Sequence, residues 1–560
     1  MFTYTFQFQV VLLSLVGLAA ASSEHSTTQS SWLRHCDQDT PNPVQGKLEG
    51  HIPEWVEGRL IRVGPGVHHV GNTSYKHLFD PLALLHMVQI QNGQATYVSR
   101  ILESDTYKTN MREQRIAETE FGTTAYPDPC QTLFGKFSAW FEAPKMGDNC
   151  LVNVLQANDQ LIAMTETDTV RVVDPSNLQV IGDGVKIPDF VPVQRASAHP
   201  HVGTDGTIYN LAATISDRGP GYSIISHKAG VLEDASVEAT IPARWRFNPG
   251  YMHSFAITEN YYILFETPLA MNVPTMLASN YLNTPPEEGL VWYPEENTRF
   301  RVIRRSNGEE IDTKFTSDKF FTFHQINAYE TADVLVVDVS AISSGEVIKS
   351  LYLDNIRKKD SDPTKQKFDS VATRYVMPLA NIESLPHNEE LLADYSEIKI
   401  VPEDSSLPSR SPSAVKTGDD EIFLKGVIIN DMFLEMPRIN YFHNGKSYKY
   451  VYGVGSESGS IDFTSLIKLD VRSGKELVWS DSSYFVSEPV YLSEPGKEDE
   501  DSGVILTLLL HKEELNHTVL LILNAQDFSE MARVHFTING PATPTFHGQF
   551  ISFHDIVHGY

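Results

Sequence analysis

The feature that most restricts the fold of this chain is a turn that recurs after hydrophobic, strand-like runs in distant regions. Each run ends in Asp or Asn, a short polar turn follows, and a second strand-like run begins. The three copies start at Asp174, Asp470 and Asn524. Such units predict antiparallel hairpins, and one hairpin reused along a chain is typical of β-propeller blades. A β-meander of another kind uses the same turns, so both architectures remain open here.

The rest of the chain also indicates an all-β protein. Runs rich in β-branched and aromatic residues recur between Gly, Pro, Asn or Asp turns, whereas helical periodicity is scarce. Hydrophobic residues make up 41% and charged residues 21% of the 560 residues, a balance that can fill a large core. Because no obvious linker divides the chain, we predict one large domain rather than several small ones.

Charge and motifs exclude several classes of function. The chain has 44 Lys and Arg against 72 Asp and Glu, a formal net charge of −28, which disfavours nucleic acid as a partner. Its three cysteines include no C-x-x-C pair, which excludes a cysteine zinc site. Neither H-E-x-x-H nor G-x-S-x-G occurs, so a zinc protease or a serine hydrolase of those types is not expected.

The N-terminus contains an apolar run, residues 9–21, that ends in three alanines. The run is short for a membrane span, and small residues at its end suit a cleavage site. We therefore predict a signal peptide over residues 1–21, an N-terminal extension over 22–45, and a secreted or luminal protein. No Lys or Arg precedes Arg34, so an intracellular, peripherally membrane-bound protein is the alternative.

Four of the 20 histidines lie among apolar or aromatic neighbours. They are His199, His253, His324 and His547. A buried imidazole needs a partner for both nitrogens, which is either a hydrogen-bond network or a metal. Taken singly, each is more often a hydrogen-bonded core residue than a ligand. In a propeller the inner strands of all blades face one axis, which would bring distant histidines together.

Three glutamates occur in similar surroundings: Glu166, Glu435 and Glu488. A carboxylate beside apolar residues is costly unless it is paired. A metal-bound imidazole usually donates its other N–H to a carboxylate. The histidines and glutamates would thus be consistent with a single metal site, and three unrelated ion pairs are the alternative.

From about Gly46 to the C-terminus, the chain resembles the carotenoid cleavage oxygenases, especially the animal β-carotene oxygenases and the retinoid isomerase of the retinal pigment epithelium. The resemblance rests on GRLIRVGPG at 58–66, HLFD at 77–80, FGTTAYPDPC at 121–130 and the histidine and glutamate segments, in the family's order. It implies a single domain over residues 46–560. It also implies a seven-bladed β-propeller with a dome of loops and helices over an iron-bearing face.

The resemblance further implies one ferrous iron held by the four histidines, with the three glutamates behind them. Thr165 matches a family threonine beside the iron that narrows access to an open coordination position. Neutral imidazoles suit Fe(II), and four of them leave up to two positions for O₂ or water. Such iron is expected to activate O₂ toward an electron-rich polyene double bond and so give two carbonyl products.

A polyene has almost nothing to hydrogen-bond, so its site is expected to be a long apolar tunnel. Phe79, Phe121 and Phe546 fall beside family tunnel or active-site segments and are our candidate wall residues, with plain core packing as the alternative.

The substrates of such enzymes reside in membranes, and residues 133–141 place five apolar side chains on one helical face that would enter a lipid interface if exposed. These residues are Leu133, Phe134, Phe137, Trp140 and Phe141. Cys130 matches a cysteine near the family's membrane patch, and in a luminal protein it would be free to pair with Cys150. A second part of the patch is predicted at Met271, Val273, Met276 and Leu277.

We therefore predict an Fe(II)-dependent dioxygenase that cleaves a double bond of a carotenoid or apocarotenoid to aldehydes. A retinoid ester isomerohydrolase on the same fold is one alternative. Residues 339–344 lack the aromatic that the retinoid isomerase carries near this region, which favours oxidative cleavage. A secreted carotenoid- or retinoid-binding protein without the reaction is the other alternative, and the complete set of histidines and glutamates argues against it.

Overall fold

The structure is a computed structural model that describes residues 29–128, 147–228, 230, 232–282, 284–358, 368–456, 460–554 and 558–559. Within these residues it consists mainly of β-strands, which form seven sheets of four to six strands and two small two-stranded sheets. The seven sheets are the blades of a seven-bladed β-propeller, so the predicted all-β architecture is confirmed.

The first four blades, with strands in hydrogen-bonding order, are as follows. Blade 1 contains Val44–Gln45, Gln94–Ile101, Leu82–Gln91, Gly58–Val67, Gly548–Ser552 and His558–Gly559. Blade 2 contains Val185–Lys186, Thr169–Val173, Gln160–Met164 and Asn153–Ala157. Blade 3 contains Arg195–Ala196, Ile208–Ser216, Gly219–His227 and Ser236–Pro242, with His201–Val202 also paired to the second of these. Blade 4 contains Ala256–Ile257, Tyr261–Glu266, Thr298–Arg304, Lys314–Ser317, Glu421–Lys425 and Ser413–Lys416.

The remaining three blades complete the ring. Blade 5 contains Gln325–Glu330, Val334–Ala341, Val371–Pro378 and Val427–Phe433. Blade 6 contains Glu435–Arg438, Tyr450–Gly455, Ser465–Asp470 and Glu476–Ser480. Blade 7 contains Lys47–Gly50, Glu530–Thr537, His517–Asn524, Gly503–His511 and Tyr484–Val486, with Val490–Ser493 also paired to the fourth of these. The small sheets pair Leu269–Met271 with Leu290–Trp292, and His69–Val70 with Thr73–Ser74.

Blade 1 closes the ring, because it combines strands from both ends of the chain. Gly58–Val67 pairs antiparallel with Gly548–Ser552, from Gly58 opposite Ser552 to Arg62 opposite Gly548. Backbone hydrogen bonds therefore join the first and last parts of the propeller, which holds the blades around one axis.

The recurrent turn of the sequence has one geometry in all three places. The side chains of Asp174, Asp470 and Asn524 each accept the N–H two residues further on. The fourth residue after each has positive φ: Leu178 at 63°, Gly474 at 75° and Phe528 at 63°. Its N–H donates to the carbonyl of the turn's first residue. The pattern thus marks one hairpin type in blades 2, 6 and 7.

Helices are few and lie in the connections between strands. The α-helices described are Asp105–Glu113, Val273–Leu282, Val347–Ser350 and Leu353–Lys358. The 3₁₀ turns are Ser31–Leu33, Ile187–Asp189, Pro286–Gly289, Ile382–Ser384 and Tyr441–His443. Among the residues that the structure covers, no helix combines the length and apolar character needed to cross a bilayer.

Several predictions fall on residues outside the described part of the chain. They are the signal peptide, the helical face at 133–141 and Cys130. Cys150 is described as a free, buried thiol, whose S–H donates to the Thr169 carbonyl at 3.6 Å. The predicted extension is in part packed on the propeller, because Trp32 is buried and Val44 pairs with Tyr97.

Candidate metal centre

The four predicted histidines occupy equivalent places in four blades. His199, His253, His324 and His547 each lie one to three residues before a short strand of blades 3, 4, 5 and 1. One ring nitrogen from each lies within 4.8 Å of those of the other three. The structure therefore brings together four rings that are far apart in the sequence, because each precedes a strand near the central axis.

The rings approach the shared point from different directions. The planes of His199 and His547 are at 89°, and those of His324 and His547 are at 77°. His199 Nε2 lies 2.8 Å from His253 Nε2, and His324 Nε2 lies 3.3 Å from His547 Nε2. The Nε2 atoms of different blades thus converge.

The three predicted glutamates hold three of these rings. The Nδ1–H of His324 donates to Glu435 at 2.6 Å, and that of His547 donates to Glu488 at 2.8 Å. His253 Nδ1 makes the corresponding contact with Glu166. Since blades 6, 7 and 2 supply these carboxylates, each of the seven blades contributes one residue to the centre.

Each carboxylate is itself held by further donors. Ser370 Oγ–H donates to Glu435 at 2.9 Å, and the Tyr251 hydroxyl donates to Glu166 at 3.0 Å. Arg438 makes two bonds to Glu488, at 2.8 and 3.0 Å. Burial raises the pKa of Glu488, but Arg438, His547 and Arg62 outweigh it and hold that pKa far below its usual range. Glu488 is therefore an ionised acceptor at neutral pH.

The rings of His199 and His547 are neutral, because their pKa values are lowered. Burial lowers the pKa of His547 to about 3. Burial, followed by the other three histidines, lowers the pKa of His199 well below its ordinary value. Rings whose Nδ1–H groups donate to carboxylates present their Nε2 atoms inward, and facing Nε2 lone pairs repel each other unless a cation lies between them. The donor set therefore fits a divalent first-row metal that prefers imidazole.

A mostly apolar cavity of about 560 Å³ reaches the centre at His253, His324 and His547. Phe79, Phe121 and Phe546, the candidate wall residues, all line it, and so does Thr165 beside Glu166. The structure thus places these four side chains in the cavity wall, and their roles in the reaction remain predictions.

The cavity wall also contains residues that the sequence reasoning missed. They include Trp32, Leu78, Val152, Phe323, Phe368, Met436, Ile461 and Phe463. Trp32 stacks on Phe546 with ring centroids 5.3 Å apart, and its indole N–H donates to the Ile461 carbonyl at 2.8 Å. No local signal identifies Trp32, because it lies in the stretch that we assigned to the extension.

Part of the predicted membrane patch also lines the cavity. Met271, Val273 and Met276 contribute to the cavity wall, and Met271 is buried. They belong to Leu269–Met271 and the helix Val273–Leu282. Leu277 lies on the same helix, and its side chain is outside the described part. An apolar run in a cavity wall has the same composition as one at a lipid interface, so the sequence alone does not separate them.

Comparison with known proteins agrees with this geometry. A family model described as Retinal pigment epithelial membrane protein matches residues 33–552. A carotenoid-cleaving dioxygenase of Mustela putorius furo is 35% identical, with 92% of this chain and 95% of that protein covered. A β,β-carotene 15,15'-dioxygenase of Gallus gallus is 33% identical, with 93% and 97% covered.

Solved structures support the fold. Cobalt-substituted Synechocystis ACO, an apocarotenoid oxygenase, superposes with a TM-score of 0.71 at 20% identity, and the match covers 93% of this chain and 98% of that one. The family model, the relatives and the propeller agree, and the chain therefore belongs to the family of the retinal pigment epithelial membrane protein and the carotenoid oxygenases.

Proposed function

We propose that this chain is an Fe(II)-dependent dioxygenase that cleaves a carbon–carbon double bond of a carotenoid or apocarotenoid to two aldehydes. The observation that carries the proposal is a centre of four converging imidazoles at the side of an apolar cavity. Two relatives that are 33–35% identical over more than nine-tenths of the chain also support it, because one is named a carotenoid-cleaving dioxygenase and the other a β,β-carotene dioxygenase.

His199, His253, His324 and His547 would hold the iron, whose chemistry when bound is the activation of O₂. Three carboxylates lock the rings of His253, His324 and His547 in the tautomer that presents Nε2. Thr165 narrows the space beside the histidines, so that a small molecule such as O₂ enters more easily than a bulky ligand.

The cavity wall positions the substrate. Phe79 contacts Phe121, Phe323 and Phe546 with ring centroids 5.9, 6.2 and 5.6 Å apart, in tilted or edge-to-face arrangements. These rings exclude water and offer flat, apolar surfaces to a conjugated chain. A volume of about 560 Å³ lies within the range of small-molecule sites.

The test is turnover under ¹⁸O₂ with iron-loaded protein and a panel of a C40 hydrocarbon, a hydroxylated carotenoid, shorter apocarotenoids and a retinyl ester. Cleavage is expected to give two aldehydes that contain oxygen derived from O₂, read by mass spectrometry under conditions that limit exchange with water. A retinoid product from a retinyl ester without O₂-derived oxygen would indicate the isomerohydrolase. Binding without any product would indicate the carrier.

We also propose peripheral contact with a membrane at the cavity mouth. Ile215 lines the cavity and is 63% exposed. Phe247 is 62% exposed. Its carbonyl accepts the N–H of Val273, which lines the cavity. Leu282 lies in the same helix as Val273 and is 67% exposed. Phe247→Ser combined with Ile215→Ser is expected to reduce vesicle binding. Leu407→Ser, at an exposed apolar residue that does not line the cavity, is the matched control.

We propose secretion from the apolar run at residues 9–21. N-terminal sequencing of the protein expressed with its full chain in a secretory host is expected to give a mature start near residue 22. Protein that stays in the cells with Met1 intact would contradict it.

A further inference from the structure

Among the residues that the structure describes, Arg195 is the arginine that lines the apolar cavity. Arg195 belongs to the two-residue strand Arg195–Ala196 of blade 3, opposite Ala213, and its side chain lines the cavity. It is four residues from His199, which is no more than about 14 Å of fully extended chain. It therefore lies near the metal centre, beside the path of a substrate.

Arg195 has no ion-pair partner within the described part of the chain. The polar contact that its guanidinium makes there is with the thioether of Met271, which is a weak acceptor. A guanidinium carries five N–H donors in a planar fork, so most of its donors are left for a ligand or for water.

The carboxyl groups of the same cavity wall either have other hydrogen-bond partners or are neutral. Glu166 and Glu435 are engaged by His253 and His324. Glu120 also lines the cavity, and its Oε1 has no hydrogen-bond partner. Burial, followed by the nearby carboxylates, raises the pKa of Glu120 well above its usual value, so that this carboxyl group is neutral. Arg195 is partly exposed, and an apolar ligand that covers it without supplying an acceptor is costly.

We propose that Arg195 binds an oxygen-bearing end group of the polyene and selects oxygenated carotenoids or apocarotenoids over hydrocarbon carotenes. This inference rests on the proposed function, whose substrate class it narrows. A carbonyl, carboxylate or hydroxyl oxygen accepts from the guanidinium, whereas a hydrocarbon end group offers no acceptor and leaves the cation unpaired. Because Arg195 and His199 are on one short segment, the bound end group also sets which double bond lies opposite the histidines.

The test compares Arg195→Met, which keeps the length and removes the charge, with the wild type on two ligands of equal polyene length. One is an apocarotenoid aldehyde, and the other is its hydrocarbon analogue. We expect Arg195→Met to lower kcat/KM for the aldehyde about 10- to 100-fold, the size of a lost hydrogen bond to a charged group. The hydrocarbon is expected to change by less than about threefold, and cleavage of the aldehyde to spread over more than one bond. Arg195→Lys is expected to retain part of the discrimination.

The control is Arg112→Met, at an exposed arginine whose ion pair is with Glu113; it is expected to leave both substrates unchanged. An equal loss for the two substrates would show that Arg195 is structural. If Arg195→Met leaves the ratio of kcat/KM for the two substrates unchanged, the proposal is overturned. If that variant also binds anionic vesicles more weakly, Arg195 contacts a lipid headgroup instead.

The inference is separable from the proposed function through binding alone. Affinities of both ligands for each variant are measured by quenching of protein fluorescence, which needs no turnover. If the wild type cleaves neither ligand but Arg195→Met still weakens binding of the aldehyde alone, the dioxygenase proposal fails and the end-group contact stands. If the wild type cleaves both and the variant binds both equally well, the end-group contact fails.

Discussion

Two groups of possible metal ligands built on histidines occur among the described residues, and their difference shows what makes a metal centre. One is the central group of His199, His253, His324 and His547. The other is an outer group on blade 7, His511 and His517 with Glu514, whose candidate ligand atoms also lie within 4.8 Å of one another. The candidate ligand atoms are therefore close together in both groups, but the histidine rings are oriented differently.

In the outer group the rings lie side by side. His511 and His517 are stacked at 24° with centroids 5.3 Å apart. His511 Nδ1 accepts the backbone N–H groups of Glu513 and Glu514 at 3.2 and 2.9 Å. His517 Nε2 and His535 Nδ1 are 3.1 Å apart. These nitrogens face the backbone or each other rather than one shared point.

Sheet geometry explains the contrast. Leu510 pairs with Thr518, and Val519 pairs with His535, so the outer histidines are cross-strand neighbours on one face of one sheet. Side chains on one face stand roughly parallel. The central histidines come from four blades arranged around an axis, which turns each ring to a different direction. Three carboxylates, of which Glu435 and Glu488 are buried, then fix the rings of His253, His324 and His547.

The largest test of this contrast is the removal of one ring from each group. His324→Ala is expected to abolish metal retention and turnover, because four convergent donors become three and Glu435 loses its partner. Metal content by mass spectrometry and product formation measure both, and circular dichroism checks that the propeller is intact. His517→Ala is the matched control and is expected to keep full metal content. A His324→Ala protein with normal turnover would remove His324 from the centre.

The next test concerns the carboxylates. Glu435→Gln keeps the shape but replaces a carboxylate that accepts from His324 and Ser370 with a neutral amide that has one oxygen. We expect metal retention to weaken about 10- to 100-fold, measured by competition with a chelator. Glu514→Gln in the outer group is expected to have no effect. Unchanged affinity in Glu435→Gln would mean that convergence of the rings is sufficient without an ionised partner.

A smaller effect is expected one step further from the centre. Tyr251→Phe removes the hydroxyl that donates to Glu166 and leaves the ring in place. One such bond contributes about 1 kcal/mol, so the loss of metal retention is expected to be roughly fivefold. The same chelator competition measures it. A loss as large as that of Glu435→Gln would show that the hydroxyl acts on His253 directly, from which it lies 3.0 Å.

The smallest effect is expected in the outer group itself. His517 is partly exposed, and it stacks on His511 without a network of buried charge. His517→Ala is therefore expected to change the free energy of unfolding by about 0.5 kcal/mol or less, measured by urea denaturation. A much larger loss would indicate that the outer histidines form a structural network after all.

Much of the centre was predictable from sequence, by a mixture of local pattern and resemblance. Apolar neighbours around His199, His253, His324 and His547 set them apart, but spacing did not show that they meet, and the resemblance supplied that step. Trp32 and Arg195 escaped prediction, because they reach the cavity from segments whose local sequence shows no relation to it. Met271, Val273 and Met276 were predicted at a lipid surface, and their place in the cavity wall escaped prediction, since apolar composition is the same in both places.

The sequence by itself determined the all-β class, the recurrent turn at Asp174, Asp470 and Asn524, and the residue types of a metal centre. These properties depend on side-chain chemistry and on neighbours within a few positions. Only the tertiary structure decided which histidines face one point and which arginine lies unpaired in the cavity. Those facts depend on how the blades are arranged around one axis, and contacts between residues hundreds of positions apart are not encoded in any local pattern.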